Sequence, residues 1–493
     1  GALTLAWIPE QDVGGKDNKR SDELRIRASN LELAGLEGIR PLAAKLSPAL
    51  GDVWRSTQPS GKINTLALDI PLQAADKTRF QASWSDLAWN QWKLLPGAEH
   101  FSGTLSGSVE NGLLTASMKQ AKMPYETVFR APLEIADGQA TISWLNNNKG
   151  FQLDGRNIDV KAKAVHARGG FRYLQPANDE PWLGILAGIS TDDGSQAWRY
   201  FPENLMGKDL VDYLSGAIQG GEADNATLVY GGNPQLFPYK HNEGQFEVLV
   251  PLRNAKFAFQ PDWPALTNLD IELDFINDGL WMKTDGVNLG GVRASNLTAV
   301  IPDYSKEKLL IDADIKGPGK AVGPYFDETP LKDSLGATLQ ELQLDGDVNA
   351  RLHLDIPLNG ELVTAKGEVT LRNNSLFIKP LDSTLKNLSG KFSFINGDLQ
   401  SEPLTASWFN QPLNVDFSTK EGAKAYQVAV NLNGNWQPAK TGVLPEAVNE
   451  ALSGSVAWDG KVGIDLPYHA GATYNIELNG DLKNVSSHLP SPL

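Results

Sequence analysis

The sequence predicts a mainly β fold: a long, twisted antiparallel sheet curled into a groove, with a few short amphipathic helices. Three observations carry that prediction. Strict apolar–polar alternation dominates the chain, as in Val348, Ala350, Leu352, Leu354, Ile356 and Leu358 set between Asn349, Arg351, His353, Asp355 and Pro357. Such a run is a strand with one wet and one dry face. Tight-turn dipeptides separate the runs, and helical periodicity is confined to short pieces.

Composition narrows the function classes. The chain has 493 residues, enough for about three domains or one long repeat array. With 41% hydrophobic and 21% charged residues it has the make-up of a folded protein. A formal net charge of −15, with no run rich in Lys or Arg, argues against nucleic acid as a partner. Cysteine is absent, which removes disulfides, Cys-based zinc sites and thiol catalysis together. No window offers 18 apolar residues, so no segment is read as a membrane span. The opening GALTLAWIPEQ has no initiator Met, basic region or signal core, and begins inside a strand pattern (Leu3, Leu5, Trp7). It is read as part of a longer protein, with any anchoring element outside this sequence.

The elements follow in chain order. Leu24–Ile26–Ala28 and Leu66–Leu68–Ile70–Leu72 each keep one parity apolar. So do Ile271–Leu273–Phe275, Ile311–Ala313–Ile315, Phe392–Phe394, Leu413–Val415–Phe417, Tyr426–Val428–Val430–Leu432 and Tyr474–Ile476–Leu478. Between them lie FINDGL (275–280), FINGDL (394–399), LNG (358–360) and NLNGN (431–435), read as tight turns because Asn and Gly accept positive φ cheaply. Consecutive strands are therefore antiparallel. Helical stripes fall at 40–54, 208–221, 329–342 and 444–454, each near a Pro and with Asp or Glu in or near its opening turn. At roughly 10–12 residues per strand plus turn, the chain predicts about 35–40 strands.

These features recur. LRNAKFAF (252–259) matches LRNNSLFI (371–378), and TNLDIELDFIN (267–277) matches KNLSGKFSFIN (386–396), both at an offset of 119. A fainter copy lies at 132–144. The organisation expected is an N-terminal β-groove segment over 1–174 with a helix near 40–54. A junction, the helix 208–221 and a β-groove unit follow over 175–320. A second copy of the unit of about 120 residues spans 321–440, and a further unit begins at 441–493.

The dry face needs a cover. A unit of about ten strands makes a sheet roughly 45 Å wide, while one helix of about 12 residues is roughly 18 Å long. Each large apolar side chain left in water costs about 1.5–3 kcal/mol. A sandwich, a barrel, or a trough whose apolar lining meets a ligand would each solve the problem. The absence of linkers favours the trough, which suits lipid acyl chains. The candidate lining is Leu66, Leu68 and Ile70; Ile271, Leu273 and Phe275; Val348, Leu352, Leu354, Ile356 and Leu358; and Phe392, Phe394, Val415 and Phe417. For any single position a sealed core contact fits the alternation as well as a lipid contact does.

No catalytic constellation is legible. The six His show no H-E-x-x-H or paired spacing. DADIKG (312–317) begins like a calcium loop but has Gly323 where Glu is needed. No catalytic residue, metal site or cofactor is assigned.

The stretch AWRYFPENLMGKDLVDYLSGAIQGGEADNATLVYGG (197–232) resembles the helix-and-strand signature of the AsmA-like proteins of Gram-negative envelopes. Trp198, Tyr200, Pro202, Leu210, Tyr213, Leu214, Ala217–Ile218 and Gly220–Gly221 carry the likeness, together with the recurring D-I-P-L strand ends. The resemblance implies a non-enzymatic, bridge-like lipid transfer protein of the periplasm. It would be held in the inner membrane by an N-terminal helix absent from this sequence, and would carry phospholipids toward the outer membrane to support its lipid homeostasis. Phospholipids are the partner implied, both membranes being met through parts outside this sequence; no protein partner is assigned. The alternative is a structural or adhesive envelope rod of closed β-domains without lipid cargo.

Overall fold

The protein is described here by a computed structural model, covering residues 1–9, 11–12, 19–20, 22–39, 48–93, 95–359, 361–468 and 471–488. Among them, 26 strands join one antiparallel sheet that is not a closed barrel, with only short helices beside it. The mainly β class read from the alternation is the class found. Strands pair in chain order. Ala2–Ile8 lies against Glu23–Glu32, that strand against Ser60–Pro71, and each next strand against the last through to Ile218–Gly232. The same rule holds from Val292–Ile301 to Thr473–Asp481, with short strands such as Leu342–Asp345 added beside the main ladder.

The strand count falls below 35–40 because the strands are long. Leu133–Asn147, Ile218–Gly232 and Thr364–Ile378 each run 15 residues. One presumed turn is also part of a strand: Asn433–Gly434 lies inside Ala425–Trp436. A Cβ on Gly434 would sit 2.9 Å from Trp436 Nε1 and 3.0 Å from Trp458 Nε1, so the glycine makes room for two indoles rather than for a reversal. The hydrophobic stretch near 182–186 is the strand Trp182–Thr191, paired on both sides.

Bulges interrupt the ladders beside residues with left-handed φ. Asp86, Asn157, Asn296 and Asn373 have φ of 51–54°, and the register shifts at each. Asn tolerates that conformation better than most residues, and a bulge increases local twist. Left-handed positions recur at the spacing of the sequence matches. Asn254, Asn268 and Asn277 have φ of 49°, 51° and 52°; 119 residues on, Asn373, Asn387 and Asn396 have 54°, 52° and 53°. The turn chemistry repeats too. Asn277 Oδ1 accepts from Phe246 N at 2.9 Å, and Asn396 Oδ1 from Ala365 N at 2.8 Å, again 119 residues apart.

The helices are shorter than their sequence stripes. The first runs Pro48–Thr57, the rest of the 40–54 stripe lying outside the described residues. Lys208–Ala217 is followed at once by a strand from Ile218. The 329–342 stripe becomes a π turn, Lys332–Gly336, and a short helix, Ala337–Glu341; 444–454 becomes Glu446–Ala451. Among the described residues no helix is long and apolar enough to cross a membrane.

The chain divides into two compact units. One comprises Gly1–Ala255, Glu272–Trp281 and Asp303–Ser305; the other comprises Lys256–Ile271, Met282–Pro302 and Lys306–Leu493.

Candidate functional site

In the first unit the inward side chains line up across strands. One level reads Leu3, Ala28, Leu66, Ala82, Leu105, Leu114, Ile142, Gly155, Phe171, Ile185 and Tyr230, crossing eleven successive strands. Two residues along, the next reads Leu5, Ile26, Leu68, Phe80, Gly107, Gly112, Trp144, Leu153, Tyr173, Leu183 and Gly232. Ten strand spacings make this apolar face about 48 Å wide along the sheet. The level on the opposite face is polar: Ser29, Thr65, Ser83, Thr104, Thr115 and Thr141. There the hydroxyls of Thr65 and Ser83, and of Thr104 and Thr115, pair at 2.6 Å.

Most of this apolar face is neither sealed nor bare. Leu66, Leu68, Leu105, Leu114, Ile142, Phe171 and Ile185 are all half-buried. Glycines let aromatic rings lie flat on it. Phe80 and Trp144 stack at 5.9 Å across the Gly107–Gly112 pair. A Cβ on Gly112 would meet Trp144 Cζ2 at 2.1 Å, and one on Gly155 would meet Phe171 Cε1 at 2.1 Å.

One end of these strands is closed. Ala98, Met118, Ala121 and Ile135 form a small buried cluster flanked by Trp89, Phe101 and Val160. The helix Lys208–Ala217 buries Leu210, Val211, Leu214 and Ala217. Its polar side is held by Arg130, which binds Glu203 and, at 2.6 Å, Asp212. Together with Lys208, Arg130 holds the Asp212 carboxyl below the usual carboxylate range. Tyr200 donates to Lys163 O at 2.6 Å, and burial pushes its phenol up to about 12.

The second unit has the same alternation with a different exposure. Its levels run Val415–Leu432–Gly460–Leu478, Phe417–Val430–Val462–Ile476 and Thr419–Val428–Ile464–Tyr474. Val415 is 5% exposed and Leu432 8%, whereas Leu478 at the edge is 65% exposed. The buried part is a nine-residue cluster that includes Val348, Leu371, Leu404 and Leu413, with Val322 of a short helix packed against it. The sheet here is curled. From Thr364–Ile378 to Thr473–Asp481 is six strand steps, about 29 Å if flat. Yet Ile378, Val428, Val462, Ile464, Tyr474 and Ile476 line one apolar pocket, joined by Thr338, Glu341 and Leu342.

The lining expected from sequence divides accordingly. Leu66, Leu68 and Ile70 face the half-open side of the first unit. Leu273 and Phe275 of that unit, and Ile271, Val348, Ile356 and Val415 of the second, are buried. Leu352, Leu354, Leu358, Phe392, Phe394 and Phe417 are half-buried. Phe394 rests on Gly367, whose added Cβ would meet the ring at 2.7 Å. Sequence reading missed Leu105, Leu114, Ile142, Phe171 and Ile185, the middle of the widest face. The signal available was a glycine placed opposite an aromatic residue.

His100, His166 and His353 each sit within 2.7–3.1 Å of an Asp oxygen, the partners being Asp86, Asp159 and Asp312. Among the described residues no group of three or more potential metal ligands comes together. Across its eleven strands the first unit thus presents one apolar, half-exposed face backed by a polar one.

Compared with known families, the whole chain, residues 1–493, matches the family model described as YhdP protein. No solved structure matches it.

Proposed function

The chain belongs to the YhdP family, and from that premise we propose that it is a periplasmic, bridge-like conduit carrying phospholipids from the inner toward the outer membrane. Membership points to a lipid-transport-related protein of the bacterial envelope and to a non-enzymatic family. The observation that carries the finer reading is the apolar face of the first unit, eleven strands wide and half-exposed. Acyl tails laid on such a face are drawn partly out of water while head groups stay solvated. Each methylene returned to water costs about 0.8 kcal/mol, so a tail of about 16 carbons would cost on the order of 12 kcal/mol to expose fully. A surface that never obliges that exposure lowers the barrier to movement without any chemical step.

The alternative, an envelope rod of closed β-domains without cargo, is favoured by the sealed cluster around Leu404 and Leu413. It requires the same sealing in the first unit, where Leu114 and Ile142 are half-exposed. Lipid extraction and native mass spectrometry of the purified chain separate the two. Co-purifying phospholipid is expected. A monomeric, soluble, lipid-free chain that takes up no fluorescent phospholipid from vesicles would leave the rod standing and remove the conduit.

A further inference from the structure

We propose that the first unit holds phospholipid in one orientation, with head groups over the strand ends at the turns 109–111, 145–149 and 177–180 and tails running along the strands toward their opposite ends. The inference rests on the conduit reading above and adds to it which way the cargo faces. The two strand ends differ in exposure. At 109–111, 145–149 and 177–180 every residue is exposed. Neighbouring turns there bond to one another: Asn146 N donates to Glu110 O at 2.6 Å, Ala177 N to Lys149 O at 3.0 Å, and Lys77 pairs with Glu110. At the other end the segment 194–217 lies against the turns. Arg199 reaches Glu134 at 3.2 Å, Glu203 N donates to Val128 O at 3.3 Å, and Arg130 binds Glu203 and Asp212. Ala98, Met118, Ala121 and Ile135 are buried at this end.

Depth and chemistry both fit tails that run between these ends. Along Asn111–Met123, Gly112, Leu114 and Ala116 are half-buried, whereas Met118 is 7% exposed. Gly112 to Met118 is six residue steps, about 20 Å. The tail layer of one leaflet, half of a bilayer core, is about 15 Å deep. A tail laid along the strand therefore fits between the turns and the buried cluster, with its head group still at the turns. Reversed, the same lipid would carry a charged head group toward Ala98, Met118, Ala121 and Ile135, where an unpaired charge is costly to bury. Aromatic side chains mark the wet boundary. In the level nearer the exposed turns, Trp144 Nε1 donates to Ser108 O at 3.0 Å and the Tyr173 hydroxyl to Gln175 Oε1 at 2.9 Å. Ser108 and Gln175 lie beside the turns, so both polar atoms are drawn toward the exposed ends while the rings belong to the apolar face. Tryptophan and tyrosine take this arrangement where one end is apolar and the other wet, as at a lipid–water interface.

The cysteine-free chain lets single thiols report position. Val109→Cys and Lys149→Cys at the exposed turns, and Leu95→Cys and Glu126→Cys at the other end, are each labelled with bimane. Val109 and Leu95 are 45% and 47% exposed, and Lys149 and Glu126 are exposed too, so no site starts shielded. Circular dichroism checks that each variant keeps its β signal. Each is incubated with vesicles of phosphatidylcholine bearing a nitroxide either on the head group or near the tail methyl, then separated from the vesicles by size exclusion. The quantity read is the ratio of quenching by the head-group probe to quenching by the tail probe. That ratio is expected to be at least threefold higher at 109 and 149 than at 95 and 126. An equal ratio at all four sites, or the reverse order, overturns the orientation and leaves the conduit intact. No nitroxide signal eluting with any of the four variants removes the conduit itself, and the orientation with it.

Discussion

Replacing Leu354 and Leu404 by Asp, one at a time, separates an open lining from a sealed core. Leu404 is 1% exposed within the cluster of Leu388, Leu413 and Val415. Truncating such a residue costs about 2–5 kcal/mol, and burying a polar group in its place adds about 1–3 kcal/mol. The total, about 3–8 kcal/mol, approaches the whole stability of a domain, about 5–15 kcal/mol. Leu354 pairs with Ile311 on one side and Ala365 on the other, and is only half-buried. About half of a leucine's burial is then at stake, roughly 1–1.5 kcal/mol. With a urea dependence of about 2 kcal/mol per molar, that moves the unfolding midpoint by roughly 0.5–0.8 M. Urea titrations followed by circular dichroism measure both variants. Leu404→Asp should be unfolded or nearly so in buffer. Leu354→Asp should fold, and should take up fluorescent phospholipid poorly because a carboxylate now stands on the oily face. If Leu354→Asp collapses as completely as Leu404→Asp, the half-exposure of this strand does not describe a surface that a lipid can reach.

Two further outcomes follow from particular side chains. Asn374 is fully buried, accepts from Arg372 N at 2.8 Å and donates to Asp345 O and Asp347 O at 3.1 and 3.0 Å. Asn374→Ala strands all three backbone groups and should destabilise the second unit by about 3 kcal/mol or more in a denaturant titration; a loss under about 1 kcal/mol would mean that the bulge rearranges. Asp154 is held below the usual carboxylate range by its hydrogen bond to Arg172 at 2.6 Å, helped by Gln152. A depressed native value stabilises the fold above the unfolded value of about 3.9 and loses that contribution as pH falls through the native one. The stability gap between wild type and Asp154→Asn should therefore be flat from pH 7 to about 5 and shrink below about 4. A gap that widens on acidification would reverse the sign.

Much of the fold was legible because alternation, turn chemistry and duplication agreed with one another. The Asn-Gly turn at 396–397 and the Asn277 turn gave correct reversals, since nothing but a tight turn used their left-handed φ. Asn433–Gly434 gave a false one. A glycine can free the backbone or vacate space for a neighbour, and only the cross-strand partners of Gly434, which include Trp458, decide between them. The helices were read too long because a stripe of leucines records which side is apolar. Where the chain leaves the helix depends on the strand that captures it. Ile218 begins a strand paired to Trp182–Thr191, and Leu342 pairs with Ile378. Degree of burial was the least legible property. Val348 and Leu352 share one strand and one face, yet one is sealed and the other half-open, according to elements distant in sequence.

The residues that hid the centre of the groove are also those that allow it to exist. Over parts of the widest level large and small side chains alternate across neighbouring strands, in Leu3, Ala28, Leu66, Ala82 and Leu105 and again in Ile142, Gly155 and Phe171, whereas Leu105–Leu114–Ile142 and Phe171–Ile185–Tyr230 are large at each step. Strands lie about 4.8 Å apart, so a large side chain at every step would crowd a concave face and force it flat. Alternating large with small is how small barrels fill a tapering interior. The second unit follows the same rule in Ala313, Leu352, Gly367 and Phe394. Read along one strand, Gly107 or Gly155 breaks the apolar period and weakens the strand signal. Read across strands, the same glycine lets a neighbouring ring lie down and the sheet bend inward. A test of alternation within single segments therefore loses sensitivity where the curl depends most on small residues, and the register between strands, which no single segment encodes, supplies what it lacks.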